Sequence, residues 1–197
     1  MDRDARALLS LIGQSYFDPA GVARILNALR LNRGILWSGF LAVVCISVIV
    51  LELSLMSVEL PNREVLFPLS PFGQAAVLAV LLTLLIFAIY FTGQMLGGKG
   101  RFPGALLLVS WWQVMAVTTQ LLVMALVLVV PGLAGLVVTL AYVYMLVSLL
   151  HFINVLHGFD NLFMALATVV IAFLGAAVGL AILLAIIGVG AMQQGSL

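Results

Sequence analysis

The sequence predicts an all-α fold, an integral membrane bundle of five transmembrane helices preceded by an amphipathic helix pair at the membrane interface. Three observations carry that prediction. Of 197 residues, 65% are hydrophobic and only 8% are charged, whereas a soluble domain carries roughly a quarter charged residues. A surface so poor in charge is solvated by lipid. The apolar runs are also long enough to cross the hydrocarbon layer, which takes about 20 helical residues. Finally, the cations gather in two places, the segment before the first run and the loop Gly97-Gly98-Lys99-Gly100-Arg101-Phe102-Pro103-Gly104. The two places are two crossings apart and therefore lie on one face.

Residues 1–34 form the first unit, residues 35–190 the five-span unit and residues 191–197 a short uncharged tail. In the first unit, Ala7, Leu8, Leu11 and Ile12 mark one face of a helix over about Asp4 to Gln14, which Ser15-Tyr16-Phe17 is expected to break. Asp18-Pro19 reads as an N-cap followed by proline in the first helical turn. Val22, Ile25, Leu26 and Leu29 then recur on one face of a second helix, to about Asn32, with Arg24 and Arg30 pointing elsewhere. An apolar stripe with arginines beside it, just before a membrane span, belongs in the headgroup plane or docked on the end of the bundle. No cleavable leader is expected ahead of the first span.

The first span covers about Ile35 to Met56, with Trp37 at its start, where an amphipathic ring suits the interface. Glu52 is the one acid inside an apolar run. A carboxylate in the membrane is a functional candidate by default, but Glu52 is close enough to Glu59 and Pro61 to be read as an interface or helix-packing residue. Pro61, Pro68 and Pro71 make 58–71 a loop. The second span, about Phe72 to Leu96, closes with Gly93 and Gly97, a small-xxx-small pair that suits close helix packing. The third span, about Ala105 to Val130, carries Gln113 and Gln120 on one face, and such amides bond across helices. Pro131-Gly132 turns into the fourth span, about Leu133 to Leu156. Ser148, His151, Asn154, His157 and Asp160 form a polar stripe at its end. Gly158 stops that helix and Asp160-Asn161 caps the next. The fifth span, about Leu162 to Val189, carries Gly175 and Gly179, read as tight packing at the bundle centre.

Lysine and arginine counts place the N-terminus and the Lys99–Arg101 loop in the cytoplasm and the C-terminus outside. The net charge of +1 excludes bulk attraction to nucleic acid. The lone Cys45 forms no internal disulfide, and no Asn-x-Ser/Thr site is present. No nucleophile–base or paired-carboxylate pattern stands out, so the chain is read as not an enzyme, with no cofactor and no metal. His151 and His157 are six apart, not a helical i, i+4 pair, which argues against one shared ion. Glu52, Gln113, Gln120 and His151 are the intramembrane polar candidates for a transport pathway.

The loop residues Gly97, Gly98, Lys99, Gly100 and Arg101 have two readings. One is a turn that only sets topology. The other is a lipid or anion site, in which glycine backbone N–H groups and two cations hold a headgroup phosphate.

Phe17-Asp18-Pro19, the five spans, the loop from Gly97 to Phe102 after the second span and the Gly158-Phe159 turn together resemble the Yip family, the Ypt/Rab-interacting proteins. The resemblance covers nearly the whole chain and implies a multi-pass membrane protein with a cytoplasmic N-terminus. It also implies a role in membrane organisation. Eukaryotic relatives engage Rab-type GTPases through a long acidic and aromatic N-terminal extension that this chain lacks, so a GTPase partner is not carried over. The chain is closer to the compact bacterial members, which implies a bacterial cytoplasmic (inner) membrane. The expected function is a scaffold binding membrane lipids, a membrane-protein partner or a second copy of itself. The alternatives are a small transporter or channel, and an accessory subunit of a larger complex.

Overall fold

The structure, a computed structural model, describes residues 3–56 and 69–194. Among the described residues seven α-helices follow one another: α1 (Arg3–Phe17), α2 (Pro19–Ala28), α3 (Arg33–Met56), α4 (Pro71–Met95), α5 (Phe102–Val129), α6 (Ala134–His157) and α7 (Leu162–Gln194). A short 3-10 turn, Pro131–Leu133, joins α5 to α6. Five segments of the described residues are long and apolar enough to span a membrane: Arg33–Met56, Pro71–Met95, Phe102–Val129, Gly135–His157 and Leu162–Ile182. The expected bundle is therefore observed, and α7 carries its last turns into the segment read as a tail. The expected loop at 58–71 falls largely outside the described residues, and Pro71 itself opens α4 behind the Ser70 cap.

Two hydrogen bonds fix the register of α3 against α5. Gln113 Nε2 donates to Ser47 Oγ at 3.1 Å, and Gln120 Nε2 donates to Ser54 Oγ at 3.0 Å. Each partner steps by the same seven residues in the same direction, so α3 and α5 run parallel and α4 returns between them. In lipid such bonds contribute about 0.6 kcal/mol each; their larger effect is to forbid a slip of one helix along the other. Helix α7 packs chiefly on α4, and α6 on α5 and α7. Phe40, Ile86, Ile89, Leu106, Met115, Phe152 and Ile153 fill the centre.

The N-terminal pair differs from expectation in three ways. Ser15-Tyr16-Phe17 does not break α1, which runs on to Phe17. Helix α2 ends at Ala28, short of Asn32, because Leu29 takes an extended backbone. And the pair does not lie flat across the end of the bundle. Asn27 sits against Gly104, the level where α5 begins and Leu156 nears the end of α6. The Tyr144 hydroxyl donates to the Ser15 carbonyl at 3.0 Å, and Tyr144 to Leu156 is roughly 18 Å of helix. The pair is thus a bent hairpin whose second arm, α2, lies along half the length of α5 and α6, while α1 meets the bundle at Ser15 and Tyr16 beside the corner at Phe17-Asp18. Val22, Ala23 and Leu26 are the buried face, while Ile25 and Leu29 are exposed.

Polar side chains clamp the tip. Trp111 Nε1 donates to Ser15 Oγ at 3.0 Å. The Tyr16 hydroxyl donates to the Met115 carbonyl at 3.0 Å and shares a hydrogen bond with Thr119 at 2.9 Å. The Tyr16 ring stacks on Tyr144 with centroids 5.6 Å apart. Burial raises the Tyr16 phenol above its ordinary value of 10.0, Tyr144 raises it further, and the Thr119 hydrogen bond partly offsets both. A raised value means the fold favours the neutral phenol. That contribution is complete below pH 10 and is lost as pH climbs through the raised value. The melting temperature of the protein in detergent is expected to fall more steeply above pH 10 than that of Tyr16→Phe; equal slopes would acquit this phenol.

Candidate functional site

The ends of α4 and α6, the start of α5 and the end of α2 meet at one end of the bundle, which also holds Arg30, Arg33, Lys99 and Arg101, all exposed. At its centre is His157, 1% exposed. The side chain is held by glycines. A β-carbon on Gly93 would overlap the imidazole ring, and one on Gly98 or Gly100 would come within 2.6 or 2.7 Å of His157 Nδ1. The phenyl ring of Phe159 stacks on the imidazole at 5.2 Å. The Ile89 carbonyl lies close to the ring, yet neither ring nitrogen completes a hydrogen bond among the described residues.

This arrangement changes the meaning of the glycine loop. Gly97 N–H donates to the Gln94 carbonyl, Gly98 N–H to the Gly93 carbonyl at 2.8 Å, and Lys99 N–H to the His157 carbonyl at 3.0 Å. The Gln94 carboxamide donates to the Gly100 carbonyl. The Gly97 and Gly98 N–H groups are therefore spent on the C-terminal end of α4, and the Lys99 N–H ties the loop to α6. Gly98 and Gly100 make room for an imidazole, and Gly97 supplies the left-handed turn at φ 86°. The loop is a lock on His157.

The other candidates fall in separate places. Gly93 does permit a close approach, but of a histidine ring; Gly97 lies beyond the end of α4, so the pair is not a helix–helix motif. Around Gly175 and Gly179 no atom of the described residues lies within 4 Å of an added β-carbon, so among them this stripe faces open space and not the bundle centre. Glu52 accepts from Gln74 Nε2 at 2.8 Å, joining α3 to α4 as a packing residue. Gln113 and Gln120 bridge to α3, and His151 is half-buried on α6. Gln120 lines a cleft of about 380 Å³ with Leu51, Trp112, Thr119 and Met145; Glu52, Gln113 and His151 do not reach it. Of the polar stripe, Ser148 and His157 are buried, and Asp160 sits in the α6–α7 turn. There Asn161 supplies the cap, accepting from Phe163 N–H at 2.8 Å. Among the described residues no cluster of three metal-ligating side chains exists.

A second hollow, about 210 Å³, opens beside the lock. Arg30 and Leu31 from the α2–α3 connection, Leu26 and Asn27 from α2, Leu36 from α3, and Arg101 and Leu107 from the α5 side line it. Arg30 and Asn27 were not singled out by the sequence, because 71 residues separate Arg30 from Arg101 and only the folded hairpin brings them together. A pairing of unmatched cations across a long separation leaves no local pattern to read.

No family model matches the chain, and no curated protein or solved structure is significantly similar to it.

Proposed function

We propose that this chain is a non-enzymatic membrane-organising scaffold of the kind the Yip resemblance implies, working through its basic end on anionic lipids or on a membrane partner. One observation carries the reading. Three glutamine amides inside the bundle donate across helices, Gln113 to Ser47, Gln120 to Ser54 and Gln74 to Glu52, whereas the cations Arg30, Arg33, Lys99 and Arg101 are exposed. A transport route would need Glu52, Gln113, Gln120 and His151 to converge on one cavity, and a single one of them lines the larger cleft. The scaffold reading also puts the basic end in the cytoplasm, since cationic segments stay on that side, and the chain in a bacterial inner membrane.

The reading is tested by reconstituting the purified protein in mixed lipids and measuring which co-purify on exchange. Phosphatidylglycerol is expected to be retained over phosphatidylcholine, and the Lys99→Gln/Arg101→Gln double variant to lose that preference. Retention that ignores headgroup charge would defeat the proposal. Orientation is tested separately, by single cysteines at Arg24 and Arg101 in a Cys45→Ser background. Both are expected to react with an impermeant thiol reagent from the cytoplasmic face only, and labelling from opposite faces would overturn the topology.

A further inference from the structure

The hollow between the α2–α3 connection and the start of α5 is built for a phosphate ester, and we infer that it binds the phosphate headgroup of an anionic lipid. The inference rests on the lipid-binding reading above and gives it a place and a residue set.

Its upper wall is cationic. Arg30 and Arg101 both line it, and among the described residues neither has an ion-pair or hydrogen-bond partner for its side chain. Two unmatched guanidinium groups on one small hollow repel each other, and a group with at least one full negative charge and several acceptor oxygens relieves that repulsion. Guanidinium suits this task because its planar fork matches phosphate oxygens in pairs. Arg101 is also the residue that precedes the first turn of α5, and its side chain makes no cap there. The N–H groups of Phe102 and Gly104 consequently point out of the helix without an intrahelical acceptor.

Its lower wall is apolar, made by Leu26, Leu36 and Leu107, and its position beside the membrane-spanning part of α3 and α5 suits the glycerol and first methylenes of a lipid. A volume of about 210 Å³ accommodates a headgroup and not a whole metabolite, since pockets for drug-sized molecules run to roughly 300–1,000 Å³. The hollow has its shape because Gly104 lacks a side chain. A β-carbon there would lie 2.8 Å from Asn27 Oδ1 and 3.0 Å from the Leu156 side chain, so the Asn27 amide would have to turn away from α5 at this level. The N-terminal hairpin is thus a structural part of the site: it contributes Arg30 and Asn27, and displacing it would dismantle the hollow.

The experiment compares the intact protein with Arg30→Gln, Arg101→Gln, Arg101→Lys and Lys99→Gln, each in phosphatidylcholine nanodiscs titrated with short-chain phosphatidic acid or phosphatidylglycerol and read by native mass spectrometry. Both arginine-to-glutamine changes are expected to weaken binding by about tenfold, the loss of one charge-assisted paired contact. Arg101→Lys should recover part of that loss, and Lys99→Gln, outside the hollow, should leave the bound lipid in place. The arginines are exposed, so unchanged melting without lipid is the check that each variant is folded. A parallel arm adds glycerol phosphate and inorganic phosphate. Displacement by millimolar amounts assigns the site to a soluble phosphate ester, and resistance assigns it to the lipid; either result supports a phosphate site dependent on both arginines. Wild-type affinity in both arginine variants overturns the site. If wild type still prefers anionic lipid in that case, the broader scaffold reading survives; if wild type has no preference at all, both fall.

Discussion

Replacing Gly93 with leucine is expected to dismantle the basic end of the bundle. The β-carbon alone overlaps the His157 ring, which Gly98 and Gly100 hem in from the loop and Phe159 covers at 5.2 Å. The ring therefore has no free direction in which to move. Forcing one extra carbon into such a contact costs about 1–3 kcal/mol, which sets the expectation for Gly93→Ala; leucine adds three more carbons to the same space, and the folded protein is not expected to survive purification. The cause is separable from a general intolerance of substitution in α4. In a His157→Ala background the space is vacated, so Gly93→Ala should cost much less there than in wild type. A double-mutant cycle by thermal unfolding in detergent reads this coupling. Additive costs would show that His157 is not what Gly93 accommodates.

The second large effect is expected at Ser15. This residue is fully buried, donates to the Leu11 carbonyl at 2.8 Å and accepts from Trp111 Nε1 at 3.0 Å. Alanine removes only the hydroxyl and leaves the indole N–H without an acceptor, a loss of about 1–3 kcal/mol for a buried donor. That loss falls on the N-terminal hairpin and not on the five-span bundle, whose own contacts are untouched. The hairpin should open as a unit, and tryptic cleavage at Arg6 and Arg24 should accelerate by about tenfold to a hundredfold, in proportion to the open population. The five-span part should stay protected and keep its melting behaviour. Simultaneous loss of both would show that the hairpin is integral to the bundle and not docked on it.

The two predictions concern residues whose sequence signals differ in kind. Hydropathy made the spans legible to within a few residues, because burial in lipid acts on every side chain of a run and leaves a long pattern. Gln113 and Gln120 were legible as interhelical donors because amides seven apart share a helix face. The Gly158 stop and the Asn161 cap were legible because they act within a few residues of themselves. Ser15, Tyr16, Trp111 and Tyr144 gave no such signal: Tyr144 lies 129 residues from the carbonyl it holds. His157 was legible as a polar residue at the end of a span, but its neighbours are the bare α-carbons of three glycines and a phenyl ring, which no ligand pattern describes.

Composition and periodicity alone determined the helical class and the five helices apolar and long enough to cross a membrane, since each is a property of single residues against lipid or water. Tertiary structure alone decided that the glycine loop encloses a histidine, that α2 lies along α5 and α6, and that Arg30 and Arg101 line one hollow. The physical reason is range: solvation is felt residue by residue along the chain, whereas steric fit and the pairing of charges exist only between groups that folding has already brought together.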